Sequence, residues 1–350
     1  MKLSFFIGCL RRGGAERVIS ILANGYAEQG HDVDVVLLLS EEVAYDLHPA
    51  IRVVPICETD GSYARRMPAW LRRIRQYLRE RRPDRAVSFI ARINLLVLAA
   101  SLGLHQRVIV SERNDPMRDG RGAMIRLGTR LLYPKAQAVV FQTEYAKRCF
   151  PKRVQRRGAV IPNPITVEAP SSVKTAHTIV TAGRLMPQKN QQLLLEAFAG
   201  LHGAYPAYQL ILYGDGSLKE ALLEQARRLG VEQFVTLPGN VKDIHAKLAG
   251  ATLFVLTSDF EGQSNALLEA MMLGLPCITT DWEGVDEVIR SGENGLIVPR
   301  GDTDALRLAM ARVLGDEELR NRLAEKARLT ARNYSEPLII EQWMACIANT

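Results

Sequence analysis

Thr257-Ser-Asp-Phe-Glu261-Gly-Gln-Ser264-Asn-Ala-Leu-Leu-Glu269-Ala-Met-Met-Leu-Gly274-Leu-Pro276-Cys-Ile-Thr-Thr280 is the stretch on which the reading of this 350-residue chain turns. The short apolar run at 253–256 predicts a buried parallel strand, 264–273 is a run of good helix formers, and 276–279 predicts the next strand. The intervening loop carries Glu261 and Gly262. Ser264 is placed to cap the helix, whose first backbone N–H groups and positive dipole end would face any anion lying above the strand.

Glu269 falls about one and a half turns into that helix, roughly 7 Å along its axis from Ser264. One ligand could therefore meet Glu261, the helix N-terminus and Glu269 together. A nucleotide-sugar has the matching length: hexose hydroxyls and a ribose diol that need carboxylate acceptors, with phosphates between them that need N–H donors and cations. Taken in isolation, the same spacing also fits a turn glutamate and a surface-helix glutamate.

Working outward, 350 residues exceed what one hydrophobic core usually supports, so two domains are expected. With 47% hydrophobic and 24% charged residues the composition is that of an ordinary globular protein. No apolar run is long enough to span a bilayer, and residues 2–8 run into a strand pattern and not a cleavable leader, so a cytoplasmic protein is expected. The five cysteines are scattered without metal-ligand spacing, which predicts reduced thiols and no metal site. Charge is uneven: residues 1–170 hold 28 Lys and Arg against 16 Asp and Glu, net +12, whereas residues 171–350 hold 17 against 22, net −5.

The chain opens with a strand at 3–9, a helix at 15–29 and a strand at 33–39, a βαβ unit whose connecting loop is Leu10-Arg11-Arg12-Gly13-Gly14. Adjacent glycines at the carboxyl edge of a strand admit close approach of a phosphate or sugar, which makes Gly14 a donor-site candidate. A G-x-G-x-x-G fingerprint is absent. Apolar strands continue at 86–89, 107–110 and 138–141. Residues 162–176 then lose periodicity and gather three prolines, which predicts an interdomain linker. The rhythm restarts with strands at 178–182, 209–213, 234–237, 253–256, 276–279 and 295–298, separated by helices at 190–203, 217–229, 241–249, 264–273 and 302–314. The domains expected are 1–165, 166–334 and a terminal helix in 335–350.

The second half opens with Val180-Thr-Ala-Gly183-Arg184-Leu-Met-Pro-Gln-Lys189-Asn190. Arg184 and Lys189 emerge at a carboxyl edge, where both could converge on a diphosphate and stabilise negative charge growing on a leaving phosphate. Tyr213-Gly214-Asp215-Gly216 lacks the third glycine of a dinucleotide site and is read as a structural turn. Between Arg65 and Arg82 there are eight arginines and one acid. Apolar residues at 70, 71, 74, 77 and 78 form a helical stripe there. Beyond a solvated face, the surplus charge would suit an anionic membrane or a polyprenyl-pyrophosphate acceptor, with Arg72, Arg75 and Arg79 as contacts. Nucleic acid is disfavoured, because no aromatic-and-basic motif accompanies the charge.

Glu261-Gly-x4-Leu-Leu-Glu269-Ala-Met-x2-Gly-x-Pro276, Gly183-Arg184-Leu-x3-Lys189-Asn190, Gly13-Gly14-Ala-Glu-Arg and Ile161-Pro-Asn-Pro together cover nearly the whole chain and resemble retaining glycosyltransferases of family 4. They look most like bacterial enzymes of O-antigen, capsule or exopolysaccharide synthesis that act on undecaprenyl-pyrophosphate-linked acceptors. The resemblance implies an α/β GT-B fold, two doubly wound Rossmann-like domains facing a cleft, with the last helix crossing back to the first domain. It implies donor contacts from Gly14, Gly183, Arg184, Lys189, Glu261, Gly262, Gln263, Ser264, Asn265, Ala266 and Glu269, and from Asn240 and Val241 to the uracil edge. Many members carry a histidine near the donor sugar where this sequence has Arg113, in Val110-Ser-Glu112-Arg113-Asn-Asp115-Pro. The departure leaves Glu112, Arg113 or the donor phosphate to meet the acceptor hydroxyl. The implied catalytic set is Glu261, Arg184, Lys189 and Arg113, with a UDP-sugar donor, no metal or other cofactor, and peripheral attachment to the inner face of the cytoplasmic membrane. A nucleotide-sugar epimerase of the same fold and a non-catalytic membrane-surface binding protein are the competing readings.

Overall fold

In the computed structural model, residues 1–11, 13–57, 63–168 and 177–350 are described. They form two compact units, Met1–Pro164 with Glu336–Thr350, and Ile165–Ser335.

The first unit holds a seven-stranded sheet in the order β3-β2-β1-β4-β5-β6-β7. Its strands are β1 (Lys2–Ile7), β2 (Asp32–Leu37), β3 (Arg52–Pro55), β4 (Arg85–Phe89), β5 (Val108–Ser111), β6 (Ala138–Phe141) and β7 (Gly158–Val160), all paired in parallel. Side chains of β1 alternate between two cores. Leu3, Phe5 and Ile7 face α1 (Gly14–Glu28), and Phe6 faces the helices of the opposite layer. That layer contains α2 (Tyr63–Arg81), α3 (Ala91–Ser101) and α4 (Ala123–Leu132), with α3 packed against both neighbours. Two short helices, α5 (Glu144–Arg148) and α6 (Lys152–Gln155), precede β7. Coverage on both faces explains why these strands read as continuous apolar runs.

The second unit holds six parallel strands in the order β10-β9-β8-β11-β12-β13. They are β8 (Thr178–Ala182), β9 (Gln209–Tyr213), β10 (Val235–Gly239), β11 (Leu253–Leu256), β12 (Cys277–Thr280) and β13 (Leu296–Val298). The helices are α7 (Gln191–His202), α8 (Lys219–Arg228), α9 (Ile244–Ala249), α10 (Asn265–Met272), α11 (Thr303–Gly315) and α12 (Glu317–Ala331). In both sheets the strand order reverses beside the first strand of the unit, between β1 and β4 and between β8 and β11. Doubly wound sheets bind ligands at the carboxyl ends of the strands at such a point.

The last helix, α13 (Glu336–Ala348), belongs to the first unit, where Ile339, Trp343 and Ile347 are fully buried in the core beneath α1. The predicted linker is shorter than its sequence suggests. Ile165 accepts no solvent role: it is buried in the second core, and its N–H donates to the Tyr334 carbonyl at 2.8 Å. Val167 packs there as well, and residues 169–176 of the expected linker lie outside the described residues. The edge strands β3 and β7 and the helices α4 and α12 were not anticipated from sequence. Short or half-exposed segments of this kind lack a full apolar period.

Candidate active site

Strands β8 and β11 are hydrogen-bonded neighbours, so the loops at their carboxyl ends are forced together. This brings the Gly183-to-Asn190 loop onto the Thr257-to-Ser264 loop. The Asp259 N–H donates to the Gln188 carbonyl at 2.9 Å, the Gln188 amide to the Phe260 carbonyl at 2.8 Å, and the Thr257 hydroxyl to the Lys189 carbonyl at 3.0 Å. Asn190 sits in the left-handed region at φ 44° and its side-chain amide reaches Asp259 Oδ1 at 3.1 Å. Asparagine tolerates that conformation better than most residues.

At the centre, Lys189 Nζ lies 2.5 Å from Glu261 Oε1, and the Ser258 hydroxyl donates to the same oxygen at 2.6 Å. The Ser258 carbonyl in turn accepts from the Thr280 hydroxyl at 2.6 Å. Both members of the ion pair are largely buried, so the carboxylate and ammonium are held in one geometry. Directly after them in sequence, Ser264 is buried and caps α10, its Oγ accepting from the Leu267 N–H at 3.4 Å. Gln263 and Glu269 are also buried, with Glu269 3.8 Å from His245 Nε2. Gly262, Asn265 and Ala266 are half-buried around this helix start. Arg184 is exposed and contributes only its carbonyl to the loop, accepting from Gln191 at 3.0 Å.

A rack of glycines lets three loops stack at this edge. The Gly183 N–H donates to the Tyr213 carbonyl at 2.9 Å, and the Gly214 N–H to the Gly239 carbonyl at 3.0 Å. Gly214 has φ 127°, and a Cβ there would lie 2.0 Å from the Gly183 carbonyl oxygen; a Cβ on Gly216 would lie 2.2 Å from that of Leu185. The Tyr213–Gly216 turn thus supports the motif loop from behind. Asn240, exposed, and Val241, half-buried, follow Gly239 on the outer side of the rack.

Two contributors escaped the sequence reading. Ser258 could have been found from its spacing three residues before Glu261. Arg300 carried no signal, yet it binds the Asp259 carbonyl at 3.1 Å and Glu283 at 3.2 Å, and its Nε lies 3.2 Å from Asp281, tying together the loops after β11, β12 and β13.

In the first unit, Gly13 is fixed by Tyr45, whose hydroxyl accepts from its N–H at 3.0 Å and donates to its carbonyl at 2.9 Å, and Gly14 opens α1. Arg12 lies outside the described residues. Glu112 is not available to an acceptor: Arg121 Nη2 is 2.6 Å from one oxygen and the Tyr133 hydroxyl donates to the other, all of them buried. Arg113 is buried between aromatic faces, 5.1 Å from the Phe89 centroid and 5.3 Å from that of Trp343. Its Nη1 donates to Asn163 at 2.8 Å, whereas Nε and Nη2 have no hydrogen-bond partner among the described residues. Burial without a facing carboxylate pushes its pKa down to about 9.

In the arginine helix the three expected contacts differ in setting. Arg75 Nη1 donates to the Ala100 and Leu102 carbonyls, each at 2.7 Å, where α3 ends and leaves acceptors unsatisfied. Arg81 is bound to Asp32 and Asp34, whereas Arg72 and Arg79 are exposed. Among the described residues no three His, Cys, Asp or Glu side chains gather to hold a metal, and no helix is long and apolar enough to cross a membrane.

Against this geometry, a family model for a glycosyl transferase 4-like domain matches residues 13–164, and one for glycosyl transferases group 1 matches residues 165–330. The chain belongs to family 4 of the glycosyltransferases. This glycosyltransferase is 27% identical, over 99% of its length and 98% of the other's, to GalNAc-alpha-(1->4)-GalNAc-alpha-(1->3)-diNAcBac-PP-undecaprenol alpha-1,4-N-acetyl-D-galactosaminyltransferase of Campylobacter jejuni. It is 25% identical, over 96% of both chains, to the amylovoran biosynthesis glycosyltransferase AmsD of Erwinia amylovora. Among solved structures, Anabaena HepE in complex with UDP superposes with a TM-score of 0.86 over 100% of both chains at 19% identity, which establishes the GT-B fold.

Proposed function

We propose that this glycosyltransferase is a retaining enzyme that moves a hexose or N-acetylhexosamine from a UDP-sugar to a polyprenyl-pyrophosphate-linked glycan in cell-surface polysaccharide synthesis. The observation that carries the reading is the Lys189–Glu261–Ser258 cluster at the start of α10. A diphosphate at that helix end would be met by backbone N–H groups of the first turn, by Lys189 and by the exposed Arg184. These donors would stabilise the charge that grows on the β-phosphate as the glycosidic bond breaks, without a metal ion. Glu261 would accept from the hexose hydroxyls, Glu269 from the ribose diol, and the backbone at Asn240 and Val241 would pair with uracil. Arg113 is the first unit's candidate from the family resemblance, and two of its N–H donors have no partner among the described residues. With Glu112 sealed into an internal network, we assign attack of the acceptor hydroxyl on the same face that UDP leaves, its proton passing to the departing phosphate.

The acceptor class is carried over from the undecaprenol-diphosphate-linked glycan named for the Campylobacter relative, and an acceptor of that kind would put the enzyme at the inner face of the cytoplasmic membrane. The test is UDP release from a panel of UDP-sugars, with and without a polyprenyl-pyrophosphate-linked glycan, followed by NMR of the product anomer. Acceptor-dependent UDP release with an α-linked product from an α-linked donor is expected. Interconversion of the UDP-sugar without an acceptor would instead identify an epimerase.

A further inference from the structure

The surplus positive charge of the first unit has a partner that the arginine helix alone does not reveal. Helix α4 leaves a row of large apolar side chains in water: Met124 is 84% exposed, Leu127 57% and Leu131 58%, and Met117 in the preceding loop is 57% exposed. Soluble surfaces rarely gather such residues in one place. Positions 124, 127 and 131 share one face of a helix, and the exposed Arg126 and Arg130, four apart, occupy the face beside it. Another side of α4 is committed inward, with Thr129 buried and, at the edge of the apolar row, a Cβ on Gly128 reaching within 2.8 Å of Leu95 on α3. The helix carries no acidic residue.

We infer that α4 is an interfacial helix that seats the enzyme on an anionic lipid surface, with Met124, Leu127 and Leu131 entering the acyl boundary and Arg126 and Arg130 meeting lipid phosphates. An exposed apolar stripe beside arginines, without acids, matches a bilayer surface on both counts: apolar depth and negative charge. A protein partner would need complementary acids and a shaped pocket, for which a straight stripe gives no specificity. Helices α2 and α4 flank α3 on the same face of the first sheet, so the exposed Arg72 and Arg79 add to the field on that face. The inference rests on the reading of a membrane-bound acceptor, but its test does not use that acceptor.

The experiment is sedimentation of the full chain with phosphatidylcholine vesicles, with and without phosphatidylglycerol. Wild type is expected to bind only the anionic vesicles, less at high salt. Met124→Gln, Leu127→Gln, Leu131→Gln together, and separately Arg126→Gln with Arg130→Gln, should each lower vesicle partitioning roughly tenfold or more. Circular dichroism should be unchanged, because none of these side chains is buried, and UDP release to a soluble acceptor analogue should match wild type. Undiminished vesicle binding in both variants overturns the proposal. So does a dimer of wild type, by light scattering, that the apolar variant abolishes while vesicles remain unbound. Vesicle binding that depends on α4 in a chain releasing no UDP would uphold this inference and sink the functional one.

Discussion

Lys189 and Glu261, 72 positions apart in the chain, share one hydrogen bond at 2.5 Å and so join the two sequence motifs into one site. The contact follows from topology, since β8 and β11 are neighbours although two strands intervene in sequence.

Lys189→Ala should therefore act twice. Turnover with a UDP-sugar should fall by about 2–4 kcal/mol in transition-state terms, the usual loss for one preorganised charge donor. The melting temperature should also drop, because Glu261 is left buried with Ser258 as its remaining partner among these three. Wild-type kcat/KM in the folded variant would remove Lys189 from the site.

Activity should survive a strong chelator. Lysine, arginine and helix N–H groups supply the positive charge in the proposed site, and the described residues offer no cluster of ligands for an ion. Loss of turnover in EDTA, restored by Mg²⁺ or Mn²⁺, would show that the diphosphate is neutralised by another route.

Arg72, Arg75 and Arg79 should separate into two classes. Arg75→Ala should cost about 1–3 kcal/mol of stability, by leaving the Ala100 and Leu102 carbonyls without their charged donor. Replacing Arg72 and Arg79 with Gln should leave urea unfolding unchanged, while raising the apparent KM for a lipid-pyrophosphate acceptor at low salt. Equal stability losses in both variants would contradict the division.

The contrast shows what was legible. The strands at 178–182, 209–213 and 253–256 were readable to the residue, because strands buried on both faces announce themselves as apolar runs bounded by turns. The helix from Tyr63 to Arg81 was readable from its apolar stripe, but which of its arginines are free depended on where α3 happens to end. The surroundings of Arg113 were hidden for a similar reason: Phe89 and Trp343, which reach it, are 254 positions apart in the chain. Helix α4 was missed because its largest apolar side chains face water, so its pattern did not announce a core.

Asp34 makes stability depend on pH in a defined direction. Burial would raise its carboxyl, but hydrogen bonds from Arg52, Tyr77 and Arg81 outweigh that and hold it below the usual carboxylate range. A depressed folded pKa contributes stability that is fully present above the unfolded pKa and is lost as pH falls through the folded one. Asp34→Asn should thus destabilise by about 3 kcal/mol near neutrality, with the gap to wild type closing in acid. A constant gap from neutral pH down to strong acid, by urea titration, would refute the assignment.

Arg113→Met should leave the melting temperature within a few degrees of wild type while lowering kcat. The guanidinium is buried without a carboxylate, so its desolvation cost offsets much of what the Asn163 bond and the aromatic faces return. A folded variant with wild-type kcat would make it a packing residue only.

Helix α13 sets the order in which the molecule can be finished. Ile339, Trp343 and Ile347 complete a core whose other members lie mostly before residue 162. During synthesis the second unit, ending at Ser335, can therefore close while the first still waits for its final helix. The N-terminal half of the chain is the last to mature, with an apolar surface uncovered for the time the ribosome needs to make about 180 further residues, roughly 10–40 s at ~5–20 residues per second.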